Sequence, residues 1–582
     1  MKVSDYVFSF LAERGIDTVF HLPGGGAMHL VDSLGRSDSI SAVSLLHEQA
    51  AAIAAESYAN TSGKPGCALV TTGPGGTNAA TGVLAAYLDS SPVFFVSGQV
   101  KTADLKSRYG VRSLGSQEAD IVSIVRSITK YAVMVADKTR IRYELERAWH
   151  EMTTGRKGPV WIDIPLDVQG ARIEPEELRG YTPRIEDARV DVSEMVAALN
   201  SAKRPVMIAG NGLAGCGTCF HELLEYLRIP VIPTWKAMDY VPNDHPLYAG
   251  RAGGMGDRHG NLAMQNADLL LCLGTRLDFS ITGYDRSEWA PKATKIVVEI
   301  DRTEMAKLEG ASRLVPVIAD VGDVLAALLE RRDELRIPEH AEWKAQIARW
   351  KSKYPISAPD GELTTYALVQ SLSERLPEGA FVAPCSAGTT AEIFFQAFRV
   401  KKGQVVRSNH GLGSMGFEIP NAIGMCIASG GKNVVCIAGD GGVQLNIQEL
   451  AVIAGCELPI KLFIVNNKGY ASIRNMQNNH FQGRHVGCDE DSGLYLPNWE
   501  KLSSAYGMGY ARIDSTGELD ESVRSVLECK GAAICEVCVE GDCLVVPRTA
   551  TRVLPDGSMR SSPLENQFPF LSDDEAKENM LS

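Results

Sequence analysis

The chain has 582 residues, 45% of them hydrophobic and 22% charged, which is the composition of a globular protein long enough for about three to four domains. Its formal net charge of −13 argues against binding to nucleic acid or to an anionic membrane. The N-terminus lacks the basic region and long apolar run of a signal peptide, and no apolar run reaches the roughly 18 residues of a membrane span. The 13 cysteines are scattered and odd in number, so we expect reduced thiols in a cytoplasmic protein rather than zinc sites or disulfides.

Glycine-rich turns follow apolar strands in the first block of the chain. The predicted strand at residues 18–21 precedes Pro23 and three successive glycines, and the strand at residues 67–72 precedes Gly73-Pro74-Gly75-Gly76. Strands that alternate with helices predict a parallel sheet covered on both faces. The glycine run is either a plain turn or a place where the backbone approaches a ligand closely.

An acidic residue follows the predicted strand that begins at Ser41, which lies between the two strands just described. Glu48 lies in the sequence His47-Glu48-Gln49, directly before an alanine-rich helix predicted for residues 50–59. Helix N-termini favour acidic side chains, so a structural carboxylate and a functional one are both open from this pattern alone.

A second α/β block follows residues 171–192, which are charged, contain prolines and are predicted to form a linker. Acidic residues at the ends of parallel strands can bind ribose hydroxyls, but this block has no G-x-G-x-x-G motif, so the pattern alone gives nucleotide binding weak support. A charged helical linker is predicted for residues 331–362.

The third block is organised around residues 437–467. Asp440 follows one predicted strand and Asn467 follows the next, and the carboxyl ends of neighbouring parallel strands meet at one edge of a sheet. Carboxylate and amide oxygens suit Mg²⁺, while turn amides and a helix N-terminus suit phosphate. The pattern therefore predicts a magnesium–diphosphate site, with an ordinary tight turn as the alternative.

These blocks predict an α/β protein with three doubly wound parallel-sheet domains. We place the domains at residues 1–175, 190–335 and 360–545, followed by a tail at residues 546–582. The tail carries Phe568-Pro569-Phe570 and is predicted to be either a lid over the site or a packing or disordered segment.

Several motifs, in their order and spacing, resemble thiamine diphosphate (ThDP)-dependent enzymes of the acetolactate synthase group. The motifs are His47-Glu48-Gln49, GCALVTTGPGGTN at 66–78, Ser97-Gly98-Gln99-Val100, GPVWIDIPLD at 158–167, GLGSMGFEIP at 411–420, and Gly439-Asp440-Gly441 with Asn466-Asn467. The resemblance covers about residues 1–545 and implies pyrimidine-binding, central and diphosphate-binding domains. It also implies ThDP and Mg²⁺ as cofactors, small-molecule substrates, and a homodimer or homotetramer whose active site lies between subunits.

The resemblance implies a role for individual positions. Glu48 is expected to exchange a proton with the aminopyrimidine ring, which activates the thiazolium carbon. Mg²⁺ is expected to bind Asp440, Asn467 and the carbonyl of Gly469. The remaining positions expected at the reacting carbon or in the substrate channel are Gly25, Gln99, Gln117 and Lys130. The remaining positions expected to contact ThDP are Pro23, Thr72, Asn78, Gly388, Thr389, Gly413, Met415, Gly439, Gly441, Gly442, Tyr470 and Ala471, with Met415 as the wedge that bends the cofactor.

The implied reaction is a decarboxylating carboligation. Pyruvate would lose carbon dioxide to leave a hydroxyethyl group on ThDP, which then attacks a second carbonyl. FAD is implied in a structural rather than a redox role, with an empty or ADP-binding central domain as the alternative. The positions expected to contact FAD are Gly210, Gly212, Arg276, Glu299, Asp301 and Asp320.

The sequence departs from the acetolactate synthase pattern on the side of the second substrate. Met476 stands where that group carries a tryptophan, Ser116 replaces a phenylalanine, and His410 replaces a glycine. His410 is either a proton donor to the acceptor or a structural donor. Smaller or more flexible side chains predict a wider acceptor pocket. The tail, with Pro563-Leu564-Glu565 and Phe568-Pro569-Phe570, resembles that of acetolactate synthase-like carboligases that attach a two-carbon branch to a keto-sugar nucleotide. The acceptor is therefore expected to be either a 2-oxo acid or a nucleotide-linked keto-sugar. The alternatives to a carboligase are a flavin-coupled pyruvate oxidase, a simple 2-oxo acid decarboxylase and a non-catalytic ThDP-binding relative.

Overall fold

A computed structural model describes residues 1–183, 190–359, 361–539, 541, 543–553 and 556–581. Three parallel sheets flanked by helices make up this part of the chain, which confirms the predicted α/β class. No helix among the described residues is long and apolar enough to cross a membrane.

The first sheet has six parallel strands. These strands are β1 (Thr18–His21), β2 (Ser41–Ser44), β3 (Gly66–Val70), β4 (Val93–Gln99), β5 (Tyr131–Met134) and β6 (Val160–Pro165). They lie in the order β2-β1-β3-β4-β6-β5. The helices around them are α1 (Val3–Glu13), α2 (Met28–Gly35), α3 (Glu48–Ser62), α4 (Pro74–Leu88), α5 (Ile121–Val125), α6 (Ile141–Thr153) and α7 (Leu166–Gly170).

The central sheet has five parallel strands. These strands are β7 (Pro205–Ala209), β8 (Val231–Pro233), β9 (Leu269–Leu273), β10 (Thr294–Glu299) and β11 (Leu314–Ile318). They lie in the order β11-β10-β9-β7-β8. The helices that accompany them are α8 (Ser193–Ser201), α9 (Gly217–Leu227), α10 (Arg258–Gln265), α11 (Phe279–Thr282), α12 (Val321–Glu330) and α13 (Ala341–Lys353).

The third sheet again has six parallel strands. These strands are β12 (Phe381–Pro384), β13 (Val405–Val406), β14 (Val434–Gly439), β15 (Ile460–Asn466), β16 (Gly509–Ile513) and β17 (Ala533–Cys538). They lie in the order β13-β12-β14-β15-β17-β16. The helices that accompany them are α14 (Thr365–Arg375), α15 (Gly388–Ala397), α16 (Glu418–Ala428), α17 (Asp440–Val443), α18 (Leu450–Gly455), α19 (Ala471–Phe481), α20 (Trp499–Ala505) and α21 (Thr516–Glu528).

The first and third sheets share one topology. Counted from its own first strand, each sheet runs 2-1-3-4-6-5, so the direction of winding reverses between the first and third strands in both. Ligands in such folds bind outside the carboxyl ends of the strands near this reversal. The two predicted parts of the site lie at these edges, one in each sheet: Glu48 at the first sheet, and Asp440 with Asn467 at the third. We call each part a half-site.

Helix α3 packs between the first and third domains. Its alanines are buried, because it is enclosed by α4 on one side and α16 on the other. A methyl group at Gly424 would lie 2.3 Å from the carbonyl oxygen of Ala54, and Ser57 Oγ donates a hydrogen bond of 2.7 Å to the carbonyl of Asn421. Small side chains are therefore required along this contact.

Two segments outside the sheets pack on the central domain. Helix α13, within the predicted charged linker, buries Trp343, Ile347 and Trp350 in the core of the central domain. The last elements are an antiparallel pair, β18 (Thr551–Val553) and β19 (Met559–Ser561), and helix α22 (Asp573–Glu578). The tail also packs there, because Arg258 Nη2 donates to the Pro569 carbonyl at 2.8 Å and Trp350 Nε1 donates to Asn579 Oδ1 at 2.9 Å. These contacts favour a packing role over a lid for the tail.

Candidate active site

Asp440 and Asn467 lie side by side at the carboxyl edge of the third sheet. Strands β14 and β15 are hydrogen-bonded neighbours, with Gly439 opposite Val465, as the sequence predicts. Asp440 is buried and accepts backbone hydrogen bonds from Gly441 at 2.7 Å and from Gly469 at 2.9 Å. Burial raises the pKa of Asp440 to about 6. Both side chains thus present oxygen atoms to one small region.

The buried amide oxygen of Asn467 has no hydrogen-bond partner among the described residues. A buried, unpartnered acceptor next to a buried carboxylate is costly unless a cation or a proton satisfies it. Amide and carboxylate oxygens are the ligand types that Mg²⁺ prefers. The residues present therefore fit a hard divalent cation.

Glycines and helix N-termini surround this pair. A side chain on Gly441 would lie 2.2 Å from the ring of Tyr470, and Gly469 has φ +133° with its α-carbon packed against the Cys488 carbonyl. Helix α15 begins at Gly388 and Thr389, and α19 begins at Ala471. A side-chain carbon on Gly388 would be 3.9 Å from Ser472 Oγ, so these two helix N-termini are adjacent and their free amides suit a diphosphate.

Met415 lies in the loop between β13 and α16. Gly413 and Gly416 on either side of it have φ +65° and +80°, and Asn446 Nδ2 donates to the Gly416 carbonyl at 2.7 Å. The loop is thereby fixed against the segment that follows Gly442.

Glu418, the next acidic residue, was not among the predicted site residues. It is buried, burial raises its pKa to about 7, and one carboxylate oxygen has no partner among the described residues. A side-chain carbon on Gly442 would lie 3.5 Å from Glu418 Oε1, so this carboxyl group lies at the glycine turn. Its only signal in the sequence is an acid inside an otherwise apolar motif.

Glu48 is the first residue of α3, at the carboxyl edge of the first sheet. It is buried, and Asn78 Nδ2 on α4 donates to Glu48 Oε2 at 3.0 Å. A side-chain carbon at Gly75 would lie 3.5 Å from Glu48 Oε1. Thus Asn78 and the glycine turn at the start of α4 orient the carboxylate, a contact that was not predicted from the sequence.

The turn after β1 approaches the neighbouring strand ends closely. Side chains on Gly24 and Gly26 would collide with Thr71 and Thr72, and one on Gly98 would lie 2.1 Å from the Gly26 carbonyl. A side-chain carbon on Gly25, between them, would meet no described atom within 4 Å. Gly25, next to Pro23 and Thr72, is therefore the glycine of this run whose α-carbon faces open space.

Gln99 is engaged in a buried network that sequence reasoning missed. Its Oε1 accepts from Thr72 Oγ1 at 3.0 Å, and its Nε2 donates to Asp163 Oδ2 at 3.0 Å. Ser97 Oγ donates to the other Asp163 oxygen at 2.6 Å, and burial raises the pKa of Asp163 to about 7. Gln99 thus lies at the correct edge of the sheet, but its amide is held by protein groups.

Gln117 and Lys130 lie in different places relative to Glu48. Gln117 is exposed with φ +65°, and its carbonyl packs against Gly73 at the start of α4, near Glu48. Lys130 precedes β5 and therefore lies at the opposite, amino edge, where its Nζ donates to the Thr154 carbonyl at 2.7 Å. Within one chain, Lys130 is not brought to Glu48.

Four of the six predicted flavin positions, but not Gly210 or Asp301, line a cavity of about 1320 Å³ where the three domains meet. The first domain contributes Asp89 and Arg156, and the third contributes Arg407 and His410. The predicted central-domain residues that line it are Gly212, Arg276, Glu299 and Asp320.

The packing of the central domain itself requires glycine at positions 210 and 212. A side-chain carbon on Gly210 would lie 2.3 Å from the Gly274 carbonyl oxygen, and one on Gly212 would lie 2.7 Å from the Gly274 α-carbon. Asp301 caps the turn that follows it and also accepts a hydrogen bond of 3.2 Å from Arg156 Nη1. The size, polar strand ends and arginine of the cavity fit a dinucleotide, although these glycines and Asp301 also serve the fold.

His410 stacks on Trp235 with ring centroids 3.8 Å apart, and Trp235 stacks equally closely on Phe395. Burial lowers the pKa of His410, so the ring is neutral at physiological pH. The structure therefore gives His410 a packing role at the cavity wall.

Three family models match the chain in order. The N-terminal TPP binding domain of thiamine pyrophosphate enzymes matches residues 1–124, the central domain matches residues 192–328, and the C-terminal TPP binding domain matches residues 386–537. Each match falls on one of the three parallel-sheet regions, although the first ends before β5 and β6 and the third begins after β12.

Curated relatives extend over nearly the whole chain. Acetolactate synthase isozyme 1 large subunit of Escherichia coli is 30% identical over 549 residues, which cover 94% of this chain and 95% of the relative. Chloroplastic acetolactate synthase 3 of Brassica napus is 31% identical, covering 92% of this chain and 83% of its own. The acetolactate synthase large subunit of Corynebacterium glutamicum is 32% identical, and the match covers 89% of this chain and 83% of the relative. The chain therefore belongs to the ThDP-dependent, acetolactate synthase-like family of carboligases, which are transferases of aldehyde or ketone groups.

Proposed function

We propose that this protein decarboxylates pyruvate and joins the remaining two-carbon unit to a second carbonyl compound. The observation that carries the proposal is that both half-sites are intact. Glu48 is buried and oriented at one sheet edge, and Asp440 lies beside the unpartnered oxygen of Asn467 at the other. ThDP supplies the nucleophilic carbon and the electron sink for loss of carbon dioxide.

The third domain holds the charged end of the cofactor in this proposal. Asp440, Asn467 and the carbonyl of Gly469 bind Mg²⁺, and the amides at the start of α15 and α19 bind the diphosphate. A glycine is needed at Gly441 because Tyr470 packs directly against its α-carbon. Met415 lies on a loop fixed by Asn446 and would be the apolar side chain that holds bound ThDP in its bent form.

The first domain is proposed to activate the aminopyrimidine ring of ThDP. Glu48 exchanges a proton with the aminopyrimidine, and Asn78 holds the carboxylate in the required orientation. Gly25 leaves room for the reacting carbon, because its α-carbon faces open space. Gln99 positions Thr72 and the strand end, because its amide is bonded to Thr72 and Asp163.

The two half-sites are proposed to meet across a homodimer. Large apolar side chains near the predicted half-sites are exposed in the single chain: Met28 and Leu46 at the edge of the first sheet are each 51% exposed, and Leu445 beside Gly416 is 46% exposed. Burial of such side chains drives association. A dimer or a tetramer built from such dimers would cover them.

FAD is proposed to occupy the cavity between the domains in a structural role. Arg276 lines the cavity and pairs with Asp278 at 3.4 Å, so a bound anion could compete for its guanidinium group. If instead the protein were a flavin-coupled pyruvate oxidase, pyruvate would bleach bound flavin at the rate of turnover. We expect the flavin absorbance to stay unchanged while carbon dioxide is released.

The acceptor is proposed to be larger than pyruvate, with a nucleotide-linked keto-sugar as the candidate. Met476, which stands where the acetolactate synthase group carries a tryptophan, and Ile473 lie on α19 and are 43% and 38% exposed. We propose that these flexible or branched side chains form one wall of the acceptor pocket. The test is to incubate the protein with pyruvate, ThDP and Mg²⁺ and to screen acceptors by mass for the gain of a two-carbon unit. A modified sugar nucleotide supports this acceptor class, and acetolactate as the sole product contradicts it.

We also infer that the protein acts in the cytoplasm. All 13 cysteines are free, and several, such as Cys67 and Cys436, are buried in apolar cores. Free thiols persist in a reducing compartment.

A further inference from the structure

A histidine, a cysteine and an aspartate converge on the loop that follows α19. His485 Nδ1 lies 2.9 Å from Asp489 Oδ2, and Cys488 Sγ lies 3.7 Å from the same oxygen. The ligand atoms of all three side chains lie within 4.8 Å of one another. Zinc-bound nitrogen, oxygen and sulfur atoms are separated by about 3.3–3.6 Å in tetrahedral sites, so the observed spacings bracket this geometry.

Hydrogen bonds outside the cluster turn the free atoms inward. His485 Nε2 donates to Asn478 Oδ1 at 2.8 Å, which places a proton on Nε2, so Nδ1 either carries a second proton toward Asp489 or offers its lone pair to a metal ion. Asp489 Oδ1 accepts from the Ser492 hydroxyl at 2.6 Å and from the Ser492 amide at 3.0 Å, which leaves Oδ2 for another partner. Such outer partners are typical of metal ligands, because they fix the tautomer and orientation.

The contact between Nδ1 and Oδ2 requires a cation. With the ring proton on Nε2, two lone-pair atoms face each other at 2.9 Å, which is repulsive unless a second proton or a metal ion lies there. The buried sulfur of Cys488 is part of the same cluster, and a thiolate binds a borderline metal far better than it binds Mg²⁺.

We propose that His485, Cys488 and Asp489 form a binding site for a transition-metal ion of the Zn²⁺ class, separate from the magnesium site. Water or Gln477 completes the coordination, since Gln477 Oε1 lies 3.4 Å from Cys488 Sγ. This proposal departs from the expectation of reduced thiols without zinc sites, which considered the two C-x-x-C pairs and not the H-x-x-C-D spacing of residues 485–489.

The bound metal fixes the loop that contacts the cofactor segment. The Cys488 carbonyl accepts from the Tyr470 amide at 2.8 Å, and it packs so closely on Gly469 that a side-chain carbon there would lie 2.1 Å away. Residues 485–492 thus fix the turn that carries Gly469, and the bound metal stabilises the conformation of residues 485–492.

The test uses the full-length protein, passed over a chelating resin, supplied with excess Mg²⁺ and titrated with Co²⁺. We expect stoichiometric Co²⁺ binding with a thiolate-to-cobalt charge-transfer band that excess Mg²⁺ does not remove. Cys488→Ser abolishes the band, and Asn478→Ala weakens binding by about 10- to 100-fold because it releases the histidine ring.

Cys219→Ser is the matched control, because it alters an exposed cysteine of a C-x-x-C pair in another domain. It is expected to keep the band. Absence of the band in the wild type, or its survival in Cys488→Ser, overturns the proposal, as does its loss in Cys219→Ser. Should Cys488→Ser fail to fold, His485→Ala on the partly exposed histidine serves instead, and an unchanged Co²⁺ affinity in that variant also overturns it.

Discussion

At the residue scale, the predicted cofactor residues gather at strand ends, whereas the buried acids that accompany them were not predicted. Asp440, Asn467 and Glu48 follow strands, and a strand end is visible in a sequence. Asp163 and Glu418 lie within apolar motifs, and only the folded chain shows that one bonds Gln99 and the other lies at Gly442. Tertiary contacts of this kind carry no local signal.

Asp440→Ala is expected to lose measurable ThDP binding in the presence of Mg²⁺, because it removes a buried carboxylate that no neighbouring side chain replaces. Calorimetric titration with ThDP and Mg²⁺ measures the change. The matched control is Asp491→Ala, which alters an exposed aspartate and should bind normally. Wild-type affinity in Asp440→Ala would contradict the metal assignment.

Glu56→Gln tests a buried charge cluster where the three domains meet. Asp89 accepts from Lys236 Nζ at 2.7 Å and from Asn409 Nδ2 at 2.6 Å, and Glu56 Oε1 accepts from Asn409 and from Ser91 Oγ at 3.2 Å each. Burial raises the pKa of Glu56 to about 7, above the 4.5 of a free glutamate. The folded state therefore binds this proton more tightly, and stability falls as pH rises between these two values.

Glu56→Gln removes the titrating carboxyl group and therefore the loss of stability with rising pH. We expect Glu56→Gln to match the wild type near pH 4.5 and to be more stable by on the order of 1 kcal/mol at pH 8, measured by urea unfolding. Glu13→Gln, on an exposed glutamate, should show no such pH-dependent difference. Equal stability of Glu56→Gln and wild type at both pH values would show that the raised pKa is wrong.

At the scale of elements, the strands that carry glycine loops were predicted well, and the segments judged by charge were not. The predicted strand at 18–21 and the alanine-rich helix after Glu48 both form, the helix extending over Glu48–Ser62. Residues 331–362 were expected to be a charged helical linker; a helix forms there as α13, but it buries Trp343, Ile347 and Trp350 in the core of the central domain. Their spacing of four and three is a helical apolar face, which the surrounding charges concealed.

Gly424→Ala tests the contact between α3 and α16. The added methyl group would lie 2.3 Å from the Ala54 carbonyl oxygen, so the helices must separate, at a cost of about 1–3 kcal/mol in the free energy of unfolding. Gly455→Ala in α18 is the control, since its methyl group meets no described atom within 4 Å. Denaturant unfolding that ranks both variants as equally stable would contradict the packing described.

At the scale of the molecule, two sheets of one topology present half-sites at equivalent edges, and the central sheet joins them. The alternation of strands and helices is enough to predict three parallel sheets, whereas strand order and the meeting of domains depend on long-range packing. The boundaries at residues 175, 190, 335, 360 and 545 stay a prediction. The tail was left open from its sequence, and its hydrogen bonds to Arg258 and Trp350 attach it to the central domain.

A mixing experiment tests whether the half-sites meet across subunits. Glu48→Gln and Asp440→Ala are each expected to be inactive, but a mixed dimer with the site between subunits contains one site free of both changes. Random exchange of equal amounts should then restore about a quarter of wild-type activity. No restoration, with subunit exchange verified by mass, would place both halves in one chain.

The release of carbon dioxide from pyruvate by the wild type and by Glu48→Gln, at saturating ThDP and Mg²⁺, tests the central claim most directly. The account predicts that release by the wild type requires ThDP and that the variant is at least about 100-fold slower, because the buried carboxylate no longer exchanges the activating proton. The variant should still bind ThDP, since its third-domain half-site is unchanged. Release at the wild-type rate by Glu48→Gln, or release by the wild type without ThDP, would contradict it.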